Sequence, residues 1–225
     1  MVTTIFPAAG SSKRMGGGVN KNLRELTGEP LLIRTLKTFS KVERINFLIV
    51  VVAEHEVEIV EELLRGTSEL KAWQVTVGGT ERQYSIANGL KHLPDDAEII
   101  LVHDAARPLV TMQTINDVID AAEEFGGAIA AVPEKNTIKI VDAQGFVKYT
   151  PPRKELVSVQ TPQGFKREIL LQAYAKAAEE NFLGTDDSSL VERLNVRIKV
   201  VAGGYQNIKI TTPEDFRIAE TFLGR

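Results

Sequence analysis

Five apolar runs of strand length recur along the first 132 residues of this 225-residue chain, each nearly continuous rather than alternating. They are VTTIFP (2–7), NFLIVVVA (46–53), WQVTV (73–77), EIILVHD (98–104) and GAIAAV (127–132). A strand that is apolar at successive positions is buried on both faces. The architecture that does this is a largely parallel sheet covered by helices. The intervening segments, 30–41, 54–66, 80–93 and 111–127, carry apolar residues at three- and four-residue spacing and read as those helices. Pro30 suits a first helical turn, Thr111 an N-cap, and Gly66 and Gly126 helix stops. The alternation predicts an α/β fold with a doubly wound sheet, whose ligands bind beyond the carboxyl ends of the strands.

The rhythm breaks between Pro133 and Pro152. TIKIVDAQGFVKYT (137–150) holds two short β-type runs around DAQG and reads as a hairpin. A lone two-stranded hairpin is marginally stable in water, so Ile138, Ile140, Phe146 and Val147 should pack on something. Either a second subunit or the hairpin's own domain would serve. A helix over 166–181, a short helix over 187–194, a strand VRIKVVAG (196–203), a strand NIKITT (207–212) and a helix from Pro213 complete the reading.

Composition narrows the function. Hydrophobic residues make up 43% and the formal net charge is −3, so the chain has a globular core and no global basic field for nucleic acid. There is no cysteine, hence no disulfide framework and no thiolate metal site. The amino-terminal MVTTIFPAAG lacks the charged region of a signal peptide, and no apolar stretch reaches the roughly 18 residues of a membrane span. The expectation is a soluble, cytoplasmic protein without membrane or nucleic-acid partners.

IFPAAGSSKRMGGGVNKN (5–22) points to the chemistry. Small residues after the first strand let a ligand approach the backbone, and successive N–H groups form an anion-binding concavity. Lys13, Arg14 and Lys21 add full charges, so the stretch reads as a polyphosphate cradle. It fits neither the Walker pattern nor the dinucleotide fingerprint. GGTERQYSIANG (78–89) follows the third strand with more small residues and an arginine. HDAARP (103–108) sets Asp104 at the end of the fourth strand, with Arg107 just beyond. VQTPQGF (159–165) and GTDDSS (184–189) read as polar turns, and NIKITTPED (207–215) puts Lys209 within a late strand. Taken singly, Asp104 could be a helix cap, Arg107 a surface ion pair and Lys209 an edge-strand guard. Their gathering at loops after strands argues for one site.

The blocks PAAGSSKRM, GGTERQYSIANG, HDAARP, QTPQ, TDDSSLVE and NIKITTPED, in that order, resemble the signature of the 2-C-methyl-D-erythritol 4-phosphate cytidylyltransferase family. The opening block is shared by many nucleotidyltransferases, whereas HDAARP with QTPQ and NIKIT is specific. The resemblance implies a Rossmann-like nucleotidyltransferase domain over 1–225, with 133–153 as a protruding β-hairpin arm through which a homodimer forms. It implies transfer of the cytidylyl group of CTP to methylerythritol phosphate, with release of pyrophosphate, in isoprenoid precursor synthesis.

Carried over by residue, Pro7, Ala8, Ala9, Gly10, Gly79, Arg82, Ser85, Asp104 and Ala105 would hold the nucleotide. Arg14, Lys21 and Lys209 would face the triphosphate as the catalytic cations. Asp104, Arg107, Thr161 and Thr185 would lie near the second substrate, and Thr137 and Arg153 would reach that of the neighbouring subunit. Backbone groups near Ala8 and Gly79 would accept from the cytosine amine. A Mg²⁺ would sit mostly on phosphate oxygens and water, with Asp104 its protein contact. His55, His92 and His103 read as structural, because a dianionic phosphate can attack without a general base.

The chain departs from the family pattern at Asn20 and Asn22, which flank Lys21 in place of Pro and Gln, at Asn136 before the arm threonine, and at Val157. These changes predict a looser loop and altered polar contacts of the arm. A ribitol 5-phosphate cytidylyltransferase shares the nucleotide pattern, and a silent nucleotide-binding relative shares the fold. Intact cations argue against the latter, and HDAARP in place of a D-x-D motif argues against a sugar-transferring relative.

Overall fold

The computed structural model describes residues 1–10 and 20–224. Its strands in chain order are β1 (Val2–Pro7), β2 (Glu25–Leu26), β3 (Glu29–Pro30), β4 (Ile45–Val52), β5 (Ala72–Val77), β6 (Ile99–Val102), β7 (Gly127–Pro133), β8 (Ile140–Val141), β9 (Val147–Tyr149), β10 (Val157–Lys166) and β11 (Lys199–Ala202). Seven of them form one sheet in the order β11-β7-β10-β6-β1-β4-β5. All its pairings are parallel except those of β10, which runs antiparallel between β6 and β7. The helices are α1 (Leu31–Ser40), α2 (Val57–Arg65), α3 (Arg82–Leu90), α4 (Met112–Phe125), α5 (Arg167–Glu179), α6 (Asp187–Glu192) and α7 (Pro213–Phe222).

The continuous apolar runs of β1, β4 and β6 are explained by two cores, whereas β5 is a partly exposed edge strand and not, as expected, buried on both faces. Successive strand residues point to opposite faces. Phe6, Leu48, Val50, Val52 and Leu101 therefore pack with Leu36 and Phe39 of α1, Leu64 of α2 and Ile115 and Val118 of α4. Their sequence neighbours Ile5, Ile49, Val51, Ile100 and Val102 pack on the other face with Ile86 of α3, Leu170 and Tyr174 of α5, and Leu190 of α6. A third cluster joins Leu26, Leu31, Ala106 and Ile210 to Ala219 of α7.

Helix ends follow the sequence in part. The Thr111 side chain caps α4 by accepting from the Thr114 N–H, and Gly126 stops that helix in the left-handed conformation at φ 89°. Gly66 stops α2 as its C-cap, in the right-handed conformation at φ −72°. Pro30 precedes α1 rather than opening it.

Two sequence expectations are corrected. VQTPQGF is not a turn but the middle of β10, a strand buried between two neighbours. Its register slips between Val159 and Gln163, an irregularity that takes Gln160 and Thr161 out of the ladder toward polar partners, while Gln163 stays paired with both neighbouring strands. NIKITT is not a strand. It is an irregular segment tied by Ile210 N–H to the Ala106 carbonyl, and by the Asn207 amide to Gln160 Oε1 and the Thr161 carbonyl.

The hairpin forms as expected, with β8 and β9 paired around a turn in which Asp142 Oδ1 accepts from the Gln144 and Phe146 N–H groups. Within this chain it does not fold back to bury its apolar residues: Phe146 is 72% exposed, and Val141, Val147 and Tyr149 are exposed with it.

Helix α3 lies close on the sheet because Gly89 faces it. A Cβ there would come within 2.9 Å of Ile5 Cγ2 and 3.2 Å of Val51 Cγ2. Gly89→Ala should therefore lower stability by about 1–3 kcal/mol through overpacking, despite the better helix propensity of alanine. The midpoint of urea unfolding at unchanged slope reads the effect.

Candidate active site

The carboxyl ends of β1, β5 and β6 open on a cleft of about 760 Å³, lined in part by Pro7, Ala9, Gly10, Lys21, Gly79 and Arg82. β1 is flanked by β4 on one side and β6 on the other, so the cleft lies where the strand order reverses, the usual ligand position in open α/β sheets. The Gly78–Gly79 turn meets the start of α3 at close range. A Cβ on Gly78 would sit 2.6 Å from the Ala9 Cβ, and one on Gly79 would sit 2.5 Å from the Tyr84 Cβ. Ser85 Oγ locks this turn by accepting from the Gly79 N–H at 3.1 Å.

Asp104 is the electrostatic centre of the cleft. Its side chain is 9% exposed and faces three cations: Lys209 Nζ at 2.9 Å, Arg82 Nε at 3.2 Å and Arg107 Nε at 3.5 Å. Burial alone would raise its pKa, but Arg82, Lys209 and Arg107 outweigh burial and hold it well below the usual carboxylate range. The opposite balance holds at Arg107, where burial outweighs Asp104 and lowers the guanidinium below its ordinary value. Arg107 is anchored by donating from Nη1 to the Asn207 carbonyl at 2.7 Å.

Beneath Asp104 lies a buried relay of hydrogen bonds. The Asp104 N–H donates to Thr161 Oγ1 at 3.0 Å, and the Thr161 hydroxyl is 3.1 Å from His103 Nδ1. His103 Nε2 lies 3.1 Å from the Arg107 carbonyl, which assigns the ring proton to Nε2 and leaves Nδ1 to accept. Burial pushes the His103 pKa down to about 3, so the ring is neutral and structural.

The lysines are both held at the cleft. Lys21 Nζ donates to the Ile210 carbonyl at 2.7 Å, and Lys209 pairs with Asp104. Asn20 and Asn22 anchor the turn that carries Lys21 rather than loosening it. Both are buried; the Asn20 side chain donates to the Ala8 carbonyl and Glu56 Oε2, and Asn22 donates to the same Ala8 carbonyl. That carbonyl already has two donors, so of this backbone stretch Ala9, not Ala8, faces the cleft.

Of the residues expected at the site, Pro7, Ala9, Gly10, Lys21, Gly79, Arg82, Ser85, Asp104 and Lys209 line the cleft together. Ala8 and Ala105 are core residues, and the Thr161 hydroxyl is spent on Asp104 and His103. Thr185 is exposed on the loop between α5 and α6, and Thr137 and Arg153 are exposed on the arm. Arg14 lies outside the described residues. The sequence reading missed Asn22, Thr80, Glu81, Ala106 and Thr211 of the lining. Asn22, Thr80, Glu81 and Ala106 stand beside residues it singled out, and only Thr211 does not.

The decisive match spans the molecule: residues 2–225 fit the sequence profile of 2-C-methyl-D-erythritol 4-phosphate cytidylyltransferase, IspD. The chain belongs to that family. It is therefore a nucleotidyltransferase of the cytidylyl-transferring kind. The enzyme of that name from Bacillus cereus is 48% identical over 223 residues, covering 99% of this chain and 98% of its own. Its counterpart from Caldanaerobacter subterraneus subsp. tengcongensis is 45% identical with the same coverage. The crystal structure of 4-diphosphocytidyl-2C-methyl-D-erythritol synthase from Anaerococcus prevotii aligns with TM-score 0.89 at 34% identity, covering 100% of this chain and 96% of that one. Among the described residues, no helix is long and apolar enough to cross a membrane.

The buried neutral His103 has a stability signature. Its folded pKa of about 3 lies below the unfolded value of about 6.5, so the unfolded chain binds the extra proton between those values. Stability is complete above the unfolded pKa and falls as pH drops toward the folded one. Moving from pH 7 to pH 5 should remove about 2 kcal/mol through this group. Urea titrations at both values read the loss, and in a folded His103→Gln variant that part of the pH slope should vanish.

Proposed function

We propose that this chain transfers the cytidylyl group of CTP to 2-C-methyl-D-erythritol 4-phosphate, giving the CDP-linked alcohol and pyrophosphate, and that the cleft beside Asp104 is where it does so. The observation that carries this reading is the convergence of Lys21, Lys209 and Arg82 on a cleft with a small-residue floor. The backbone of Ala9 to Gly10 and Gly78 to Gly79 suits close approach of a nucleotide.

The acceptor phosphate is mostly dianionic at pH 7 and can attack the α-phosphorus directly. One oxygen–phosphorus bond forms, the bond from that phosphorus to the bridging oxygen of the β-phosphate breaks, and pyrophosphate leaves with the electron pair. No proton has to move to a side chain, which fits a site whose histidine is buried and neutral. The obstacle is the meeting of two polyanions, so catalysis consists of positioning and charge stabilisation. Lys21 would exchange the Ile210 carbonyl for a phosphate oxygen, and Lys209 would reach the same charge from its pairing with Asp104. Arg14 completes the proposed set of cations.

The donor set fits a Mg²⁺ held mainly by ligand oxygens. Asp104 offers carboxylate oxygen on the cleft wall, and among the described residues no three His, Cys, Asp or Glu side chains converge into a cage. Asp104 would be the chain's own contact to such an ion, which when bound would supply positive charge against that of the phosphates.

The arm belongs to the same reading. Its apolar residues are exposed in the single chain, and Thr137 and Arg153 do not line their own cleft. This supports a homodimer in which each arm serves the neighbouring subunit and residues 133–153 are an insertion in one domain.

The test is pyrophosphate release from CTP with methylerythritol phosphate and, separately, with ribitol 5-phosphate. Turnover should favour the former strongly. Lys21→Ala and Lys209→Ala should each lower kcat by about 10²–10³-fold, as for the loss of one charge-stabilising donor, with the melting temperature little changed. Near-normal turnover in both variants would sink the assignment.

A further inference from the structure

Arg82 is shared between two carboxylates, and only one of them belongs to the cleft. Its Nε lies 3.2 Å from Asp104 Oδ1, while its Nη1 lies 2.8 Å from Asp187 Oδ2. Asp187 does not line the cleft and its side chain is 1% exposed. Its other oxygen, Oδ1, accepts from the buried Tyr174 hydroxyl at 2.6 Å. The first turn of α6, which carries Asp187, is fixed in turn. Asp186 Oδ1 accepts from the Ser189 N–H, and the Gln163 side chain of β10 both donates to Asp186 Oδ2 and accepts from the Ser188 N–H.

We propose that Asp187 and Tyr174 are positioning residues that set the orientation of Arg82 and, through it, the division of Asp104 between Arg82 and Lys209. The proposal rests on the reading of the cleft as the CTP site. A guanidinium free to do so takes a carboxylate with two parallel N–H groups, covering both oxygens. Asp187 instead holds the opposite corner, Nη1, which fixes the rotation of the guanidinium so that Arg82 meets Asp104 through Nε, on Oδ1. Oδ2 is thereby left to Lys209 at 2.9 Å, with Arg107 Nε further off at 3.5 Å. The Tyr174 hydroxyl fixes the plane of the Asp187 carboxylate. Burial and the adjacent Asp187 keep that phenol protonated and donating. Without the Asp187 charge the fork turns wholly to Asp104 and displaces Lys209 from its post at the cleft.

The test is a double-mutant cycle on the full chain with Asp187→Asn, Arg82→Met and the pair. Each protein is read by calorimetric CTP affinity and by kcat and KM with both substrates. Asp187→Asn should weaken CTP binding and lower kcat/KM by roughly 10²-fold, as expected for a displaced positioning group. In the Arg82→Met background it should add almost nothing. Penalties that multiply in the pair would mean that Asp187 acts on the fold and not on Arg82, and would overturn the proposal. Tyr174→Phe removes one hydroxyl and runs through the same cycle, so the outcome stays decisive if Asp187→Asn folds poorly. A Tyr174→Phe penalty that persists unchanged beside Arg82→Met would also overturn it. Calorimetry needs no acceptor. Normal CTP binding without turnover in the unmodified protein would therefore sink the proposed acceptor while the cycle remained readable.

Discussion

A single buried carboxylate organises the cationic end of this molecule. Asp104 sits at the end of β6 with Lys209, Arg82 and Arg107 around it, and each of those cations comes from a different part of the chain. Like charges gathered this closely would repel and scatter in a low-dielectric site. Asp104 supplies the counter-charge that lets them stand together before any phosphate arrives. The sheet makes this possible by ending its parallel strands at one rim, so residues far apart in sequence meet there.

Much of this was legible in the chain itself. The continuous Val and Ile runs of β1, β4 and β6 announce strands buried on both faces, and the two cores bear that out residue by residue. Lys21, Arg82, Asp104 and Lys209 were visible because charges beside small residues at strand ends are hard to explain otherwise. What stayed hidden shares one cause. Gln160, Thr161, Pro162, Gln163 and Gly164 have the composition of a turn, yet tertiary hydrogen bonds and neighbouring strands make them part of β10. In the TDDS stretch the sequence drew attention to Thr185, which is exposed, and passed over Asp187, which is buried beside Arg82. Periodicity carries no information about which polar side chain will be taken inside.

The asparagines that flank Lys21 show how a departure from a family pattern can conserve its physics. Proline stiffens a backbone by its ring. Here Asn20 and Asn22 reach a similar end with side-chain amides that tie the turn to the Ala8 carbonyl, and Asn20 adds a bond to the buried Glu56. The lysine is carried on a fastened turn by a different covalent route.

The bulged strand β10 has a consequence for how this architecture can diversify. Within four consecutive residues, Gln160 is bonded to Gly204, Thr161 to the Asp104 turn and Gln163 to the start of α6. Three loops that would otherwise vary independently are thus fastened to one strand. An insertion in any of them must be absorbed away from its tether, so lineages with longer loops should carry the extra residues outside 103–104, 186–188 and 204–207. A smoother, more regular β10 would make a tidier sheet and would release the Gln160 and Thr161 tethers at once, leaving only the one from Gln163.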